Sequence, residues 1–176
     1  MFKFLHICFC FWVLAIAGNS AVLGGPNRNA LVALDCNAYT PAIDSLCAGA
    51  DSRGDVIAAL WVRDVQSLDG IVATIAFDKE KLSFVYVSTV SPINSSASFM
   101  ESNGGTLGAV LAKPAGATVD CAVSISGSDT LHAVWGEGVA VWLVFKRIKN
   151  GQCSLKILEA ACIDPKLSED RIIPVR

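Results

Sequence analysis

Short runs of β-branched and aromatic residues recur along the chain from Asn29 onward, and turn-forming residues separate them. The clearest runs are residues 30–34, 56–65, 71–77, 82–87 and 118–126. In several of these runs residues that face one way are apolar and their neighbours are less so, which is the period of a strand with one buried face. No segment keeps a 3.6-residue period over a dozen residues. The sequence therefore predicts an all-β fold, a β-sandwich of eight or nine strands.

Asn150-Gly151 is the strongest single turn signal in the chain. It lies between two apolar runs, residues 139–148 and 154–158. Asn and Gly tolerate the positive φ angles of a type I′ turn, whose twist matches that of two paired strands. We therefore predict a β-hairpin here. The segment 94–116, which is rich in Ser, Asn and Gly, is expected to be a long excursion with one strand at Leu107–Leu111.

The first residues have the pattern of a secretory signal peptide. Lys3 precedes an apolar run that ends at Ala17, and a second candidate cleavage site follows Ala21. The run has about 14 residues, whereas a membrane-spanning helix needs about 20. We expect a signal peptide over 1–17, a disordered segment over 18–28 and one domain over 29–176. The mature chain is then exported and has no membrane span.

Five of the seven cysteines remain after such a cleavage, and they would meet oxidising conditions. Because five is an odd number, at least one cysteine forms no pair within the chain. Cys36 and Cys47 flank a loop that could join them, and they are the preferred disulfide. In the alternative, one or both of them bond to Cys153 or Cys162. Cys121 has the apolar parity of its strand and is expected to be a buried thiol.

Composition and motifs exclude several classes of function. The formal net charge is −2 and no basic stretch is present, so nucleic-acid binding is not expected. The mature chain has one histidine, His132, with no G-x-S-x-G nucleophile motif beside it. Calcium-loop motifs and phosphate-binding glycine loops are also missing from the sequence. We therefore expect no enzyme, no cofactor and no metal site, which leaves a binding module.

A series of strand and turn motifs resembles the cohesin domain and covers residues 30–175, nearly the whole mature chain. These motifs are Gly54-Asp55-Val56, Leu68-Asp69-Gly70, Ile75-Ala76-Phe77-Asp78, Leu82-Ser83-Phe84-Val85, Gly136-Glu137-Gly138-Val139, Leu143-Val144-Phe145-Lys146, Cys162-Ile163-Asp164 and Ile172-Ile173-Pro174-Val175. The resemblance implies a jelly-roll β-sandwich of about nine strands. In cellulosome scaffolds such a domain docks a dockerin on one sheet face.

The resemblance also implies a partner-binding face made by the outward residues of three strands. The predicted binding residues are Val72, Thr74, Asp120, Ser124, Trp142 and Val144. Cohesins carry an Asn-x-Asp motif on the first of these strands, where this chain has Gly70-Ile71-Val72. This departure favours a partner other than a standard dockerin, with Trp142 as an anchor. The same alignment predicts that Trp61 and Trp142 lie on opposite sheets.

These observations predict a secreted or cell-surface, non-catalytic module of cohesin type. Its partner would be a dockerin-like protein in a polysaccharide-degrading or cell-surface assembly. The three tryptophans of the mature chain leave a second hypothesis, a carbohydrate-binding module with a polysaccharide ligand. A third hypothesis is a structural envelope or adhesion protein.

Overall fold

The computed structural model describes residues 25–36, 46–47, 54–103, 106–126, 133–166 and 169–172, with the backbone alone at 46–47 and 169. The signal peptide predicted over 1–17, His132 and the side chain of Cys47 therefore lie outside the described residues. The described elements are ten strands and one short helix: β1 (Leu31–Asp35), β2 (Leu46–Cys47), β3 (Asp55–Leu68), β4 (Gly70–Phe77), β5 (Leu82–Ser88), α1 (Phe99–Ser102), β6 (Thr106–Ala115), β7 (Thr118–Ser126), β8 (Val134–Arg147), β9 (Cys153–Ile163) and β10 (Glu169–Ile172).

The strands form two antiparallel sheets, as predicted for a β-sandwich. The four-stranded sheet has the order β1-β3-β8-β5. The six-stranded sheet has the order β10-β9-β4-β7-β6, and β2 pairs with the start of β9. The strand predicted at 107–111 is present but longer than expected, because β6 extends from Thr106 to Ala115. It contains Pro114, which an edge strand tolerates because it need not donate to a second neighbour.

The core lies between the two sheets and contains apolar side chains from both of them. Phe145 on β8 is fully buried, and its ring centroid lies 5.3 Å from that of Phe77 on β4 and 5.6 Å from that of Phe84 on β5. Such tilted and edge-to-face ring pairs add to the stabilisation from area burial alone. The Phe145 ring therefore contacts the opposite sheet and the neighbouring strand at the same time.

The turn at Asn150-Gly151 does not close a hairpin, so that prediction is wrong. β8 pairs with β3 and β5, whereas β9 pairs with β4, β10 and β2, so this connection crosses from one sheet to the other. Gly151 has the expected positive φ, 116°. The prediction of a turn at this position was correct, but β8 and β9 do not pair with each other. Both strands bury one face in the same core, so their apolar patterns did not show that they belong to different sheets.

Lys81 holds this crossing connection against the turn between β4 and β5. Its carbonyl oxygen accepts a hydrogen bond from the Ile148 amide at 2.8 Å. Its ammonium group donates to the carbonyl oxygen of Gln152 at 2.7 Å. The β4–β5 turn also passes between the sheets, so two crossing connections lie side by side at this end of the sandwich.

The disorder expected over 18–28 does not hold for residues 25–28, which belong to the described fold. Asn27 is fully buried. Its side-chain oxygen accepts hydrogen bonds from the amides of Gln66 and Ser67, and its amide group donates to the Ser67 carbonyl. The carboxylate of Asp170 accepts hydrogen bonds from the backbone amides of Gly25 and Asn27. These contacts dock the N-terminal turn on the ends of β3 and β10.

We predict that Asn27→Ala lowers the free energy of unfolding by about 2–3 kcal/mol, because it leaves main-chain groups of β3 without partners in a partly buried site. Urea denaturation of the mature chain measures this loss. Asn29→Ala, an exposed change in the same turn, is the matched control and should cost less than about 0.5 kcal/mol. Equal losses for the two variants would show that Asn27 does not anchor the turn.

Candidate functional site

The outward side of the six-stranded sheet carries small side chains. In β4 and β7 burial alternates, so that one set of residues faces the core and the other faces outward. The pairing register places Val72 opposite Ala122 and Ala161, and Leu111 opposite Ala122. We call this surface the small-residue face; its members are Val72, Thr74, Ala76, Ala109, Leu111, Lys113, Asp120, Ala122, Ser124 and Glu159, whereas Ala161 at its border is buried.

Polar groups surround the apolar centre of the small-residue face. The Thr74 hydroxyl donates a hydrogen bond to Asp120 at 2.8 Å. Glu159 lies opposite Thr74 on one side, and Lys113 lies opposite Asp120 on the other. Leu111 projects from β6 with 64% of its surface exposed. An apolar centre with a polar rim is the usual anatomy of a protein–protein contact surface.

Four of the predicted binding residues lie together on this face: Val72, Thr74, Asp120 and Ser124. Trp142 and Val144 do not lie there, because β8 belongs to the other sheet. The expectation of one face built from all three strands is therefore wrong. β8 is buried on both sides over residues 140–145, so its sequence has no alternation that would assign it to a sheet.

Trp142 is part of a second apolar cluster, on the outward side of the four-stranded sheet. The buried members of this cluster are Ile57, Ala59, Trp142 and Val144, with Ile93 and Val139 packed against them. Only 4% of Trp142 is exposed, so its indole is not available as an anchor for a partner. Trp61 lies on β3, which pairs with β8, so the placement of Trp61 and Trp142 on opposite sheets is also wrong.

Sequence reasoning missed the contributions of β6 and β9 to the small-residue face. Leu111 was predicted as the last residue of a short strand, without a role in binding. The outward residues Ala109, Leu111 and Lys113 alternate with inward ones through β6, and this alternation is the sequence pattern that indicates the strand. Gly108, Ala109, Ala112 and Pro114 have low strand propensity, and they concealed it.

Cys121 on β7 and Cys162 on β9 are structural. Cys121 and Cys162 are buried free thiols, and burial raises the pKa of each to about 12. A thiol with such a pKa holds almost no thiolate at neutral pH and is a poor nucleophile. Cys121 is thus the buried thiol expected from its parity. β2 places Cys47 opposite Cys153 in the backbone register, and the Cys36–Cys47 disulfide stays a prediction.

The sequence matches no protein-family model and no curated protein. Its fold, in contrast, is similar to solved cohesin structures. A type II cohesin domain from the cellulosome of Acetivibrio cellulolyticus is 13% identical, with a TM-score of 0.58 over 84% of this chain and 92% of that one. A type I cohesin of Clostridium thermocellum, solved in a cohesin–dockerin complex, is 10% identical, with a TM-score of 0.57 over 83% and 94%.

A non-cellulosomal cohesin from the archaeon Archaeoglobus fulgidus has a TM-score of 0.51 and is 11% identical, over 82% of this chain and 85% of that one. The similarity thus extends to cohesins found outside cellulosomes. The fold of this chain is cohesin-like, as its strand and turn motifs predicted.

We predict that Trp142→Ala costs about 3–5 kcal/mol of stability, because it leaves a cavity in the second apolar cluster. Trp135→Ala is the matched control and should be almost neutral, since 71% of Trp135 is exposed. Chemical denaturation measures both effects. Iodide quenching of tryptophan fluorescence gives a second check, because Trp135→Ala should remove most of the quenchable emission. Similar stabilities for the two variants would contradict the burial of Trp142.

Proposed function

We propose that this protein is a non-catalytic binding module of cohesin type that docks a protein partner through the small-residue face. The cohesin-like fold is the observation that supports the proposal most strongly. Two of the similar cohesins were solved with dockerins: the complex from Clostridium thermocellum, and the sixth cohesin of Acetivibrio cellulolyticus scaffoldin B with a Cel5 dockerin. Extending this class of partner to a chain about 11% identical is our inference.

The chemistry of the small-residue face supports the choice of that surface. Its centre is apolar, which suits contact with another protein surface. Leu111 is the exposed apolar side chain that a partner would cover, and Asp120, Lys113 and Glu159 offer polar contacts around it. The departure from Asn-x-Asp at Gly70-Ile71-Val72 gives this face fewer hydrogen-bonding groups. A dockerin-like partner would therefore present more apolar surface than a standard dockerin does.

The structure weakens the alternative of a carbohydrate-binding module. Trp142, which was one of the candidate aromatic contacts, is buried in the second apolar cluster. Trp61 and Trp135 share its sheet, yet only Trp135 is largely exposed. A glycan platform made of several coplanar indoles is therefore not available among these residues. We favour a protein ligand for this reason.

We further propose that the module acts outside the cytoplasm, in a polysaccharide-degrading or cell-surface assembly. The N-terminal signal pattern of residues 1–17 supports export. Within the described residues the one α-helix has four residues, and no helix is long and apolar enough to cross a membrane.

Photo-crosslinking tests the docking surface. A photoreactive amino acid at position 111 should capture one protein from the exported fraction of the native host, and a purified dockerin panel provides defined candidates. Ala122→Arg in the same chain should weaken capture more than about tenfold, because it places a charge in the apolar centre.

The same photoreactive group at Ser83, an exposed position on the other sheet, is the matched control. Capture that is equal at the two positions, or that survives Ala122→Arg, would rule out the small-residue face. Circular dichroism of each variant checks that the sheet structure is unchanged.

Export is tested by expressing the full chain with cell fractionation and intact-mass analysis. We expect the protein outside the cytoplasm, with an N-terminus at Gly18 or Val22. Full-length protein retained in the cytoplasm would contradict export. The measurement leaves the docking proposal untouched, because the mature domain can be tested on its own partner in vitro.

A further inference from the structure

Two buried aspartates lie next to each other at one end of the six-stranded sheet. Asp69 is the single residue between β3 and β4, and Asp164 directly follows β9. Gly70 and Ile163 are paired, so Asp69 and Asp164 occupy the next position of the same antiparallel ladder. The Asp69 amide continues this ladder by donating a hydrogen bond to the Ile163 carbonyl at 2.8 Å.

Parity directs the two carboxylates toward the inside of the sandwich. Ile71 and Cys162 are paired and belong to the core, whereas the intervening pair, Gly70 and Ile163, does not. Asp69 and Asp164, one position further on, face the core side again, and their exposed fractions are only 6% and 4%. On the other side of Asp69, the amide of the buried Ile125 donates to the Asp69 carbonyl oxygen at 2.9 Å. Asp69 thus lies between an apolar side chain and another acid.

The Asp69 carboxylate is poorly compensated in this position. Its Oδ1 atom is buried and has no hydrogen-bond partner. Burial raises the pKa of Asp69, and the negative charge of Asp164 raises it further. Asp164 is held in place by a hydrogen bond from the Lys166 amide to its Oδ1 at 2.8 Å. A buried, unpaired charge is costly, so a positive species at this point would offset that cost.

We propose that Asp69 and Asp164 form a binding site for a divalent cation, and that the cation is calcium. Carboxylate oxygens are hard ligands that select Ca²⁺ over softer metals. The described residues contain no group of three or more His, Cys, Asp or Glu side chains that could hold a metal. Main-chain oxygens and water would therefore complete the coordination, as they commonly do for calcium.

A cation bound at this position would have a structural role. A cation between the β3–β4 connection and the end of β9 would hold together β4 and β9, both of which contribute to the small-residue face. Modules outside the cell typically bind calcium with a dissociation constant of about 10⁻⁴–10⁻³ M. The sequence motifs did not reveal the site, because its two acids are separated by nearly a hundred residues rather than by the short spacings of a calcium loop.

The test compares thermal unfolding of the mature chain at pH 7 in 10 mM CaCl₂ and in EGTA. The wild type should gain a Tm of about 4 °C or more in calcium, since a ligand that binds only the folded state stabilises it. Equilibrium dialysis with ⁴⁵Ca²⁺ should show one ion per chain that Asp69→Asn removes. Equal Tm values of the wild type in calcium and in EGTA would overturn the proposal.

Relative to the wild type, Asp69→Asn should shift the Tm in opposite directions in EGTA and in calcium. In EGTA this variant should be more stable than the wild type, because it relieves the repulsion with Asp164, and it should gain nothing from calcium. Asp64→Asn, an exposed change on β3, is the matched control and should keep the full calcium effect. A calcium effect that persists in Asp69→Asn and Asp164→Asn would place the ion elsewhere and overturn the proposal.

Discussion

The apolar contact between the two sheets determines which surfaces of this molecule are free to act. The fully buried Phe145 is part of this contact and touches Phe77 across the sandwich as well as Phe84 on its own sheet. Because one face of every long strand is committed to this contact, each sheet has only its outward side left for function. The four-stranded sheet then uses much of that side for a second cluster around Trp142. The six-stranded sheet keeps an outward side of small residues, and this is where binding is proposed.

The sequence predicted the fold class and the facing of individual strands well. The alternation in β4 and β7 is local and clean, so Val72, Thr74, Asp120 and Ser124 were correctly placed on one side. The sequence did not show, however, which strands belong to which sheet. Asn150-Gly151 fits a hairpin and a crossing connection equally well, since a favourable turn does not specify which strands pair. The burial of β8 on both sides removed the remaining signal, and Trp142 was assigned to the wrong sheet.

Several features that sequence patterns did not reveal depend on single polar residues with distant partners. Asn27 contacts β3 and Asp170 contacts Asn27, across separations of 39 and 143 residues. Asp69 and Asp164 are neighbours only because β4 pairs with β9. Each of these residues would be ordinary in a surface turn. Burial alone makes them consequential, because a buried polar group must be satisfied by a hydrogen bond, a proton or an ion.

Pro114 on β6 has a consequence for the way this protein can associate. β6 ends the path of the six-stranded sheet, and an open edge of this kind can recruit a strand from another chain. A proline interrupts the row of amide donors that such a strand would need. Growth of the sheet by edge-to-edge addition is therefore disfavoured along this part of β6. Along this part of β6 the side chains of the face, rather than the backbone ladder, are left for recognition by a partner, so that substitutions at outward positions can change selectivity with less risk of polymerisation at that edge.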